Sequence, residues 1–240
     1  MVGDETGSEM DDGPKWAQVY AELRRRILTC TMEPGSVISE VGLARTYGCS
    51  PTPVRDAISR LRQEGLIVVD GGRRQIVATL TLKDVSSLAE ARALIETGVV
   101  RLLLADPTRI TDAGLSRLRE LAGTGGMEEP SAVIAANRAF HVGLAKLTDN
   151  GRIVTFAERV LDDSERIFHI GIGTIPTGDI ETIHLAVVDA IAAGDADSAA
   201  GFLEREAFGT RERVFDLFFR QRGGSGDIHL SLTPDKESAR

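Results

Sequence analysis

With 240 residues, 42% of them apolar, the chain has material for one small and one medium domain, each with its own core. A formal net charge of −8 excludes nucleic-acid binding by bulk charge alone. No uninterrupted apolar run approaches the roughly eighteen residues that a membrane-spanning helix needs, so no membrane partner is expected. Cys30 and Cys49 are too few and too isolated for a disulfide framework, and reduced thiols in a cytoplasmic protein are expected.

Residues 1–14, MVGDETGSEMDDGP, hold five acids and no base and read as a disordered acidic tail rather than a signal peptide. The charge then reverses: residues 15–80 carry ten basic side chains against six acidic ones. Arg24, Arg25 and Arg26 read equally well as phosphate contacts or as a solvated helix face. Ser39 suits an N-cap, and Glu40 just inside the helix complements its dipole. Leu43, Ala44 and Tyr47 recur at helical spacing, and Gly48 suits a left-handed stop. Ser50 or Thr52 caps the next helix, where Pro51 and Pro53 are tolerated because first-turn N–H groups lack intrahelical partners. Val54, Ala57, Ile58 and Leu61 form its buried stripe, leaving Ser50, Thr52, Arg55, Ser59 and Arg62 for other faces. Gly65 ends it. Leu66–Val69 and Gln75–Thr79 read as two short strands joined by a basic turn, Asp70 to Arg74. Helix, turn, helix and hairpin in this order can present one helix to the DNA major groove.

From Leu82 onward the pattern is helical. Asp84–Ala105 repeats apolar residues at Val85, Leu88, Ala91, Leu94, Ile95, Val99, Leu102 and Leu103, and Pro107 ends the run. Further helices are expected over Thr111–Leu121, Ser131–Leu147, Arg152–His169, Asp179–Ala193 and Asp195–Phe219, with a Gly-, Thr- and Pro-rich bend at residues 171–178. Six helices without strands imply an antiparallel bundle over residues 81–220, followed by a flexible tail at 221–240. Asn137 and His141, four apart, share a helix face. With His184 and Glu206 they offer an amide oxygen, two imidazoles and a carboxylate, a set able to enclose a divalent transition metal. Singly, each is more often a hydrogen-bonded core or surface residue. Arg92 reads as a two-pronged clamp for a carboxylate, or as the i,i+4 partner of Glu96.

Ile38-Ser39-Glu40, Leu43-Ala44, Ser50 through Ile58, and Arg60-Leu61 through Glu64-Gly65-Leu66-Ile67 resemble the winged helix-turn-helix signature of GntR-type bacterial regulators, over roughly residues 15–80. The resemblance implies a recognition helix starting near Ser50. It implies DNA contacts from Arg55, with Gly72 and Arg73 at the wing tip; Arg45, Ser50, Thr52, Pro53 and Arg62 complete the expected DNA-binding set. Pro51 stands where many members carry arginine and Val41 where some carry a basic residue, so an operator sequence does not transfer.

Glu90-Ala91-Arg92 with Glu96, Asn137 through His141, Asn150, Ile183-His184, Ala190-Ile191 and Gly194-Asp195 are similar to the FCD effector domain, over about residues 82–220. That resemblance implies a dimerising bundle holding zinc, manganese or nickel on Asn137, His141 and His184, with Glu206 where a last histidine is usual. It also implies that Arg92 reads a small carboxylate effector. The expected fold is therefore mainly α, an N-terminal winged helix-turn-helix followed by a C-terminal antiparallel α-helical bundle of FCD type. The expected function is a homodimeric, ligand-responsive transcriptional regulator, a repressor, on a two-fold related double-stranded operator. A metal-free effector pocket and a metal-dependent enzyme acting on organic acids are the competing expectations; no nucleophile, lid or cofactor loop supports the enzyme.

Overall fold

A computed structural model describes residues 13–124, 127, 129–171 and 177–222. The two expected tails lie almost wholly outside the described residues, as does the middle of the bend, 172–176. The chain divides into two compact units, one of Met1–Ile27 with Thr31–Ala78, the other of Leu28–Cys30 with Thr79–Arg240.

In the first unit, α1 (Lys15–Leu28) buries Val19, Leu23 and Ile27, a row at four-residue spacing. Ser39 caps α2 (Glu40–Thr46), its hydroxyl accepting from the Gly42 N–H, and Leu43 and Ala44 are buried. Tyr47 is only half-buried, and the chain turns through Gly48 at φ +57°, where a side chain would be strained. α3 (Pro51–Gln63) starts with Ser50 as N-cap and Pro51 in the first helical position, and buries Val54, Ala57, Ile58 and Leu61 as its spacing predicts. Gly65, at φ +82°, releases the chain into the hairpin. Strands β1 (Ile67–Val69) and β2 (Gln75–Val77) pair antiparallel with Ile67 opposite Val77 and Val69 opposite Gln75. Both are shorter than the alternation suggests.

The second unit is the expected bundle: α4 (Leu82–Ala105), α5 (Asp112–Ala122), α6 (Pro130–Lys146), α7 (Gly151–Gly171), α8 (Thr177–Ala192) and α9 (Ala196–Arg222). α4 begins two residues early because Thr81 and Asp84 form a reciprocal capping box. α4 packs along α9 and α7, α5 against α6 and α8, and α8 against α9. Phe140, Leu103, Leu118, Leu144, Ile191 and Leu203 fill the middle. Leu94 departs from expectation: it is 76% exposed, since the buried stripe of α4 runs through Ala89, Arg92, Ala93, Glu96, Val99 and Leu103. Two of those buried positions are charged, and they lead into the site described next. Among the described residues, no helix is long and apolar enough to cross a membrane.

Candidate functional site

Two sets of polar residues stand out, one in each unit. In the first, Arg45, Ser50, Thr52, Arg55, Arg62, Gly72 and Arg73 are exposed and Pro53 is half-buried. Ser50 is the N-cap of α3, yet its hydroxyl makes no capping hydrogen bond. Arg55 is not free in this structure: its Nε donates to Glu40 Oε2 at 2.7 Å, while Gln75 Nε2 donates to Glu40 Oε1 at 3.0 Å. Glu40 therefore ties the start of α2 to α3 and to the hairpin, a role beyond its effect on the helix dipole. At the wing tip, the Asp70 carboxylate accepts from the backbone N–H groups of Gly72 and Arg74 and from the Arg74 guanidinium. The Arg74 backbone N–H, then its side chain, hold the Asp70 carboxyl below its ordinary value. This leaves Arg73 at the turn in a left-handed conformation, φ +62°.

Two of the three arginines of the α1 cluster have protein partners. Arg24 pairs with Glu64 at 3.2 Å, Arg25 pairs with Glu22 at 2.8 Å, and Arg60 of α3 lies over the Trp16 ring at 3.8 Å. These partners answer the charge locally. Arg45, Arg62 and Arg73 make no ion pair among the described residues.

In the second unit, Arg92, Glu96, Asn137, His141, His184 and Glu206 are all buried. Arg92 makes the i,i+4 pair and reaches beyond its own helix. Its Nε donates to Glu96 Oε1 at 2.8 Å, the i,i+4 pair, while Nη2 donates to Glu206 Oε1 at 2.9 Å and lies 3.0 Å from His141 Nε2. His141 Nε2 is also 2.9 Å from Glu206 Oε1. His184 Nε2 stands 3.4 Å from Glu206 Oε2, too poorly aligned for a hydrogen bond. One donor atom from each of His141, His184 and Glu206 lies within 4.8 Å of the others. Asn137 sits one turn before His141 on α6, but among the described residues none of the cluster's hydrogen bonds includes it.

Burial shapes the charges. Burial alone would raise the Glu206 carboxyl, but His141 and Arg92 outweigh it and hold the group well below the usual carboxylate range. For Arg92, burial opposes the charged form, yet Glu96 and Glu206 prevail and keep it protonated. Burial lowers His184 despite Glu206 beside it, so this imidazole is neutral near pH 7 with one ring lone pair to offer. Phe140 stacks on the His184 ring, centroids 3.8 Å apart and planes within 11°, and fixes its orientation. Its contact with His184 joins two helices by packing that no local pattern encodes. The Cys30 thiol is pushed up by burial to about 11, which removes the thiolate a redox switch would need.

A winged helix-turn-helix carried with a helical effector-type bundle defines a DNA-binding transcriptional regulator. The family model for bacterial regulatory proteins of the gntR family matches residues 15–77, and that for the FCD domain matches residues 87–205. The chain belongs to the GntR family, in the group with a C-terminal FCD domain, and it is a regulator rather than an enzyme. It is 29% identical over 214 residues to an uncharacterized HTH-type transcriptional regulator in an unstable DNA locus of Streptomyces ambofaciens, covering 88% of this chain and 87% of that one. It is 33% identical over 84 residues to the HTH-type transcriptional repressor RspR of Escherichia coli (strain K12), covering 35% and 37%. A crystal structure described as a GntR transcriptional regulator from Rhodococcus sp. RHA1 superposes with a TM-score of 0.71 at 24% identity, over 84% of this chain and 98% of that one, a likeness of fold.

Proposed function

We propose that this protein is a homodimeric cytoplasmic repressor that leaves a two-fold related operator when a small carboxylate binds beside a divalent transition metal in its helical unit. One observation carries the reading. Arg92 Nη1, His141 Nδ1, both ring nitrogens of His184 and Glu206 Oε2 are buried without a hydrogen-bond partner, all in one cluster. Leaving a buried polar atom unpaired costs about 1–3 kcal/mol, so a group of them marks a place prepared for a guest.

The donor set fits a metal. Two imidazoles and a carboxylate suit zinc, manganese or nickel, and the Asn137 oxygen is one turn from His141. An ion held there would supply a positive centre for an acid headgroup. Arg92 Nη1 offers a second, charge-assisted contact to the same headgroup. Two small cavities border Arg92, one lined by Ile95, Val99 and Leu161, the other by Val85, Leu88 and Ile167. Repression is the activity in the printed name of the RspR relative. Protein purified without chelator should carry about one transition-metal ion per chain, and His184→Ala should lose it. Elemental analysis reads both, and a metal-free preparation that still releases DNA on adding acids would end the metal reading.

Dimerisation is supported by two large apolar side chains on adjacent helices, Leu94 of α4 at 76% and Phe156 of α7 at 61% exposure. Leu94→Asp is expected to shift the protein from dimer to monomer in sedimentation at unchanged helicity; a persistent dimer would rule this face out. A metal-free pocket is the second reading. It is favoured by Arg92 Nη2 lying within hydrogen-bond distance of both His141 and Glu206.

A further inference from the structure

Arg92 Nη2 lies 3.0 Å from His141 Nε2 and 2.9 Å from Glu206 Oε1, and those two atoms are themselves 2.9 Å apart. Two acceptors from α6 and α9 thus converge on one guanidinium nitrogen, much as ligands converge on an ion. We infer that Arg92 is a resident cation that holds this site in place of a metal, and that metal entry must expel its Nη2 from between His141 and Glu206. The inference rests on the metal reading above and concerns how that site is regulated.

Three observations carry it. First, Nη2 stands 3.0 Å from His141 Nε2 and 2.9 Å from Glu206 Oε1, so an ion ligated by both of those atoms would have to share the space it fills. Second, two carboxylates, Glu96 and Glu206, face the one guanidinium of Arg92, so these three side chains are one positive charge short of balance. Third, Arg92 has somewhere to go. Its Nε and Nη2 are both held by Glu96, at 2.8 and 3.4 Å, its Nη1 is unpartnered, and two small cavities border it. Pivoting about Glu96 would leave Nη1 free for a carboxylate. Metal entry would thereby assemble the anion receptor.

Zinc binding to the chelator-stripped full chain, followed by titration calorimetry, tests this. Arg92→Met with Glu96→Gln removes one charge of each sign and leaves the net charge of the cluster unchanged. This double variant should bind zinc at least about tenfold more tightly than the wild type, because the competitor is gone. Circular dichroism checks its fold. In the wild type, the rate of zinc uptake should level off with rising zinc, because departure of Arg92 precedes ligation. Equal or weaker affinity in the folded double variant, or uptake that rises linearly without a plateau, overturns the inference while leaving the metal site standing. Absence of zinc binding in every protein would overturn the metal reading and this inference together.

Discussion

Arg92→Met alone is expected to destabilise the metal-free helical unit by about 3–5 kcal/mol, the usual cost of removing one partner from a buried ion pair. The side chain is 2% exposed and bonds Glu96 and Glu206, which are 5% and 6% exposed, so its loss strands two carboxylates away from water. Adding Glu96→Gln should recover part of the loss, a coupling that urea denaturation of the wild type, both single variants and the double variant would measure. A double-variant loss equal to the sum of the two single losses would show that the pair is not coupled. The pH dependence follows from Glu206. Its carboxyl is held well below the unfolded value, so its contribution is complete above about pH 4.3 and is lost as pH falls toward the folded value. Acid should therefore loosen the bundle, and the Arg92 variant should show less of that dependence.

Arg55→Ala is expected to cost about 1–3 kcal/mol in operator affinity, roughly tenfold to a hundredfold, with little change on unrelated DNA. Arg55 is exposed on α3 and paired with Glu40, a contact it would exchange for a base edge. Arg45→Ala and Arg62→Ala should behave differently. Without a structural partner, such side chains suit phosphate, and their loss should weaken binding evenly across sequences and flatten its salt dependence. Fluorescence anisotropy with a fragment from beside the gene and with a shuffled copy separates the outcomes. A uniform loss for Arg55→Ala would remove it from base reading.

Local pattern made the architecture legible. The 3.6-residue period picked out Val54, Ala57, Ile58 and Leu61, and the caps at Ser39 and Thr111 stand where their hydroxyls suggest. The Thr81-x-x-Asp84 box went unread, although the pattern is local, and it explains why α4 starts early. Leu94 misleads because a 24-residue helix can carry apolar side chains on both an inner and an outer face, and periodicity alone does not say which is covered. The polar cluster was half legible. Asn137 and His141 share one helix, so their spacing brings them to one side. Arg92 and Glu206, by contrast, are 114 residues apart and meet only because α4 lies along α9. Glu40 teaches the same lesson: its helix position suggests a dipole role, whereas its bonds to Arg55 and Gln75 depend on tertiary packing.

α4 carries Arg92 on its inner side and Leu94 on its outer side, two residues or about 3 Å of helix axis apart. A rigid helix cannot be twisted on one side only. Any pull on the Arg92 guanidinium that rolls α4 turns the ledge bearing Leu94 by the same angle and in the opposite sense across the axis. α4 is in that respect a camshaft, with the buried charge as its follower and the outer leucine as its lobe.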